Sequence, residues 1–72
     1  MRQAQIGDHV RVLRSSSANK AVARMIGREG VVVDLWAWGC AMIADPKDPN
    51  RPEGWLFSPD EFEILDPLLP AE

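Results

Sequence analysis

The sequence predicts a mainly β domain, a small five-stranded barrel, and three observations carry that expectation. Apolar residues alternate with polar ones in "DHVRVLR", a period of two that belongs to a half-buried strand. The run "EGVVVDLWAW" is dominated by β-branched and aromatic residues, which favour strands. Glycine- or proline-bearing breaks such as "GD", "WG" and "PKDPNRPEG" separate short apolar segments at close intervals, leaving little room for long helices.

Taken in order, Gly7-Asp8 marks a turn, and in the first strand Val10 and Val12 share one face while His9, Arg11 and Leu13 share the other. "SSSANKAVARMIG" changes period: Ala18, Ala21, Val22, Met25 and Ile26 recur at helical spacing. That spacing predicts a short helix or helical turn inside the first long loop. The upstream serines are candidate caps, and Gly27 suits the position after the helix. In the second strand, alternation places Val31, Val33 and Leu35 on one face, and Val32, Asp34, Trp36 and Trp38 on the other. The acid makes the Asp34 face the weaker candidate for the core.

Gly39 ends that strand near a hairpin turn, and "CAMIAD" supplies its partner. "PKDPNRPEG" is an exposed loop, "WLFS" a short strand and "FEILD" the last strand. Between these two, "SPDEF" offers Ser58 as a cap, Pro59 at a first helical position and acids behind it, predicting one helical turn. Residues 1–66 form one expected domain. Residues 67–72 form a tail in which Pro67 and Pro70 oppose regular structure and Leu68 and Leu69 are free to pack down.

Length and composition bound the possibilities. A chain of 72 residues buries only about 60% of the surface its unfolded form exposes, so its core is small. With 46% hydrophobic and 26% charged residues, it is composed as folded proteins are. Cys40 is the single cysteine, so no internal disulfide forms, and a reducing, cytoplasmic setting is expected. The opening "MRQAQIGDHV" has no apolar leader core, and the most apolar stretch, broken by Asp34, falls short of the roughly 20 residues a membrane helix requires. A soluble protein is expected.

The net charge of −3 is unevenly spread. Residues 1–30 carry six Lys/Arg against two acids, and residues 31–72 carry two against nine. Either the first half presents a basic strip, through Arg11, Arg14, Lys20, Arg24 and Arg28, or the two halves fold onto each other and neutralise.

The order of elements, with "IGDHVRVL", "MIGREGVVVDL" and "GWLFSPDEFEIL" as opening strand, second strand and closing turn-plus-strand, resembles an SH3-like barrel. The middle segment is similar to the KOW motif, in which a glycine precedes an alternating apolar strand. The resemblance spans most of residues 6–65 and rests on glycines and alternation. It implies either a nucleic-acid module of the ribosomal or transcription-associated kind, or an accessory subunit docked on an enzyme or redox complex. The chain departs from RNA-binding relatives in its acidic balance, and its lack of tyrosine leaves the peptide groove of signalling SH3 domains without its usual lining.

No catalytic arrangement is apparent. His9 and Cys40 are not placed together by any motif, and Cys40 opens an apolar strand where an inert thiol is common. Asp60 and Glu61 are explained by the helix start they flank. Asp45 and Asp48 lack the remaining features of a calcium loop, and "GREG" is no phosphate-binding loop. No metal, cofactor or enzymatic activity is expected.

The tryptophans carry the functional expectation. Exposed aromatic patches mark binding surfaces, so Trp36, Trp38 and Trp55, rimmed by Asp34 and by the 45–53 loop with Arg51, form the candidate partner-binding surface. The competing account is a bulge near Leu35 or Trp36 that flips the register and buries one ring in the core. A protein partner is the first expectation, oriented through the basic residues, and a second copy of the chain is a further candidate. A nucleic acid held by Arg11, Arg14, Lys20, Arg24 and Arg28 is the alternative, disfavoured by the net charge.

Overall fold

The computed structural model describes residues 3–65; the expected tail, with Leu68 and Leu69, lies outside them. Five strands, β1 (His9–Val12), β2 (Glu29–Leu35), β3 (Ala41–Ala44), β4 (Trp55–Phe57) and β5 (Phe62–Ile64), form one antiparallel sheet in the order β4-β3-β2-β1-β5. A one-turn helix α1 (Lys20–Ala23) interrupts the first long loop, and a 3-10 turn (Ala37–Gly39) joins β2 to β3.

The alternation of β1 is realised: Val10 and Val12 are fully buried while His9 faces solvent. In β2 the expected core face is reversed. Gly30 and Val32 are buried opposite Val10 and Ile43, whereas Val33 and Leu35 are exposed. A bulge between Val32 and Asp34 explains why alternation misleads. The extra residue flips the register, turning Asp34 to the outer face opposite Met42 and placing Leu35 on the inner side opposite Ala41. Gly30 is needed by packing: a Cβ there would lie 2.6 Å from Ile43 Cγ2 and 2.8 Å from the Ala44 carbonyl oxygen.

The core joins Val10, Val12, Val32, Ala41, Ile43, Phe57 and Phe62, with Val22 and Met25 of the α1 segment closing over them. Helix α1 is shorter than its spacing suggested. Asn19, rather than an upstream serine, caps it by accepting from the Ala21 N–H at 2.9 Å. Ile26, assigned to its apolar face, is instead exposed and bridges to Val12.

Between β4 and β5 the chain makes a tight turn, with the Glu61 N–H donating to the Ser58 carbonyl at 2.9 Å. The Glu61 carboxylate reaches back to accept from both the N–H and the hydroxyl of Ser58, each at 2.9 Å. This is the return bond of a capping box, used where a strand, not a helix, follows. Its other oxygen accepts the Ser16 N–H at 2.7 Å, and its carbonyl accepts the Leu13 and Arg14 N–H groups at 2.7 and 3.3 Å. Glu61 thus ties the first loop to the β4–β5 turn. It is the buried charged residue among those described. Burial pushes its carboxyl up, but the hydrogen bonds from Ser58 and Ser16 outweigh that and hold it below the usual carboxylate range.

Glu61→Ala leaves these donors without an acceptor and is expected to cost about 2–4 kcal/mol, since an unsatisfied buried group costs roughly 1–3 kcal/mol and more when its partner was charged. Because the folded pKa is depressed, the carboxylate's stabilisation is complete above the unfolded value of 4.5 and is lost as pH falls through the lower folded value. Urea midpoints of the wild type and Glu61→Gln should therefore converge on acidification. A gap that stays constant down to strongly acidic pH would contradict this role.

Candidate functional site

The β2–β3 hairpin closes with the Trp36 N–H donating to the Cys40 carbonyl at 2.8 Å and the Cys40 N–H donating to the Ala37 carbonyl at 3.2 Å. Between these bonds Trp38 adopts φ 60 and ψ 28, and Gly39 follows at φ 81. Two successive positive φ values are the signature of a type I′ hairpin turn, whose first central position normally holds Asn, Asp or Gly. A tryptophan there is sterically strained, by about 1–2 kcal/mol for an L-residue in the left-handed region. Trp38 is the one non-glycine residue with positive φ among those described, and its side chain stands out into solvent with 92% of the residue exposed.

That strain is appreciable beside the roughly 4–11 kcal/mol expected for a chain of this length. It is not offset by packing of the ring, because the ring is almost wholly in water. An exposed tryptophan in a conformation that disfavours it is an outlier of the kind that clusters at functional sites.

Trp36, itself 58% exposed, and Trp38 wall an open groove of about 850 Å3. Leu35, Gly39 and Cys40 continue that wall. The facing side is built by Pro59, Asp60 and the whole of β5, and Leu13 and Ala4 close one flank. The two sides touch at the hairpin tip, where a Cβ on Gly39 would lie 3.5 Å from Pro59 Cγ. The turn that Glu61 fastens therefore also supports the groove.

The expected three-tryptophan surface divides in the structure. Trp36 and Trp38 lie beyond the end of β2 rather than on a common strand face. Trp55, opposite Ile43 in the β3–β4 register, is half-buried, packs against the core and does not line the groove. Its ring is covered by the Arg51 guanidinium at 3.6 Å from the centroid, and Arg51 also pairs with Glu53 at 3.5 Å. Asp34 sits on the outer face, where its carboxylate accepts the Leu35 N–H at 2.9 Å. The expected partner surface thus splits into Trp36 with Trp38 at the groove and Arg51 stacked on Trp55 away from it, with Asp34 apart on the outer face.

Two of the five basic residues, Arg11 and Arg28, meet acids of the second half. Arg11 lies between Glu29 and Glu63, at 3.3 and 3.4 Å. Arg28 pairs with Asp45 at 3.3 Å, and Arg14 donates to the Asp60 carbonyl. These exposed pairs add little stability, but they occupy much of the proposed phosphate strip; Lys20 and Arg24 remain on the exposed surface of α1 and its end. His9 lines a second depression with Arg11, Arg28, Asp45 and Lys47, whereas Cys40 belongs to the groove. Among the described residues no cluster of three or more His, Cys, Asp or Glu is placed to hold a metal ion, and no helix is long and apolar enough to cross a membrane.

The contributions of Leu13, Pro59, Phe62 and Ile64 to the groove were missed in the sequence because each also reads as strand or turn scaffolding. The displaced signal was the Trp-Gly pair itself, which occupies a turn position that asparagine or glycine normally fills. Compared with known proteins, the chain matches no protein-family model, no curated protein and no solved structure.

Trp38→Gly is expected to leave the unfolding midpoint unchanged or raise it, because relief of the left-handed strain offsets the backbone entropy of glycine, about 0.5–1 kcal/mol. Thermal unfolding of the two proteins checks this. A loss of more than about 2 kcal/mol would show that the ring is structural.

Proposed function

We propose that the protein is a non-enzymatic interaction module that docks onto a protein partner through the groove walled by Trp36 and Trp38. The observation that carries the proposal is Trp38, held 92% exposed at a positive φ. Docking would bury the ring, and the apolar area removed from water supplies the affinity. The neighbouring apolar groups Leu13, Leu35, Pro59 and Ile64 line the same groove and extend the contact.

An SH3-like reading is supported by the sheet order, which sets the last strand beside the first, and by the short turn before β5. The docked body would then be a partner protein or a larger enzyme or redox complex to which this chain is an accessory. The free thiol of Cys40 accords with a cytoplasmic setting.

The nucleic-acid alternative draws less support. Among the described residues the groove holds no lysine, arginine or histidine, and Arg11 and Arg28 are engaged by carboxylates. Phosphate contacts would also make binding fall by orders of magnitude with rising salt.

The test uses the full chain as bait, alongside Trp38→Gly, in native lysate, with tryptophan fluorescence recorded against single-stranded RNA at low salt. The proposal expects a specific protein retained by wild type and lost by Trp38→Gly, and fluorescence indifferent to RNA. RNA binding that survives Trp38→Gly and weakens steeply with salt would reject it in favour of the nucleic-acid module.

A further inference from the structure

The ladder between β1 and β5 shows which backbone groups of β5 are turned away from β1. The Leu13 N–H donates to the Glu61 carbonyl at 2.7 Å and the Leu65 N–H to the His9 carbonyl at 2.8 Å, with Arg11 opposite Glu63 midway between. Antiparallel ladders alternate bonded and non-bonded pairs. Glu61, Glu63 and Leu65 therefore turn their backbone groups toward β1, and the N–H and C=O groups of Phe62 and Ile64 point the other way. Strand β5 is the last strand of the sheet, and all three of its residues line the groove. The groove thus combines an apolar lining, a wall carrying both tryptophans and a sheet edge with backbone donors and acceptors turned away from β1.

Its charge is one-sided. Among the described residues the ionised side chains along it are the carboxylates of Asp60 and Glu63, with no cationic residue in the lining. Glu63 is shared with Arg11 at 3.4 Å, while Asp60 is exposed and accepts from Arg14 through its backbone carbonyl.

We infer that the groove receives an extended, cationic segment of the partner, which adds a strand to β5 and alternates aliphatic side chains with lysine or arginine. The inference rests on the docking role of Trp36 and Trp38. Main-chain bonds to Phe62 and Ile64 give the register of an added strand, and alternate side chains enter the apolar lining. A cation entering the groove meets the carboxylates of Asp60 and Glu63 and the rings of Trp36 and Trp38, which line the same space. A second copy of this chain fits poorly, since an antiparallel pairing of β5 with β5 centred on Glu63 would oppose that carboxylate to its own equivalent in a protein of net charge −3.

The experiment titrates the full-length protein with a short peptide alternating valine and lysine and with its valine–glutamate counterpart. The lysine peptide is also supplied N-methylated on one or the other alternate set of amides. Amide NMR shifts and tryptophan fluorescence are read together. The lysine peptide should shift the Phe62 and Ile64 amides and bind at least about tenfold tighter than the glutamate peptide. One methylation pattern, and not the other, should weaken binding about tenfold, the cost of losing a strand-pairing hydrogen bond. Asp60→Asn should narrow the lysine–glutamate difference.

Equal effects of the two methylation patterns, or preference for the glutamate peptide, would overturn strand addition by a cationic segment. Light scattering that shows a dimer dispersed by the peptide would assign the groove to a second copy instead. If no peptide binds while Trp38→Gly still loses the native partner, this inference fails and the docking function stands. If Trp38→Gly retains the partner, both fail.

Discussion

The carboxylate of Glu61 holds the architecture at its weakest joint. A sheet whose last strand has three residues gains little from its own ladder, and the long segment between β1 and β2 contains only one helical turn. Glu61 joins both by accepting from Ser58 and Ser16 with its side chain and from Leu13 and Arg14 with its carbonyl. Hydrogen bonds to a charged acceptor contribute about 1.5–3 kcal/mol, several times the 0.2–1 kcal/mol typical of surface ion pairs such as those of Arg11. The anchor, and not the visible salt bridges, orders the β4–β5 turn.

From that turn the groove follows. Pro59 and Asp60 are carried by the same four residues that Glu61 closes, and Pro59 lies against the hairpin tip at Gly39. The hairpin then sets Trp38 outward at a cost that glycine or asparagine would avoid. One wall of the groove is thus stabilised by a buried charge and the other carries strain, so stability and docking separate into different residues.

The sequence exposed much of this. Alternation located β1 and its buried valines, β-branched residues located β2, and Gly39 marked the hairpin. The helical spacing found Val22 and Met25 as core residues while overstating the helix. What stayed hidden depends on contacts distant in sequence. The place of the bulge, between Val32 and Asp34, is set by pairing with β3, so alternation alone assigned Asp34 to the face of Val32 and, with it, Val31 and Val33 to the core. Ser16 lies 45 positions from Glu61, which no local pattern links. Trp55 was grouped with the other tryptophans by residue type, whereas its register opposite Ile43 sets it half-buried against the core and under Arg51.

The central claim, that Trp36 and Trp38 serve docking while Trp55 serves the fold, is tested most directly by 19F NMR of the full-length protein labelled with 5-fluorotryptophan. Its three resonances would be assigned through single Trp→Phe variants and followed as the captured partner is added. The account predicts that the Trp38 and Trp36 signals move or broaden together while the Trp55 signal stays in place. Movement of Trp55 with Trp38 unchanged would contradict it.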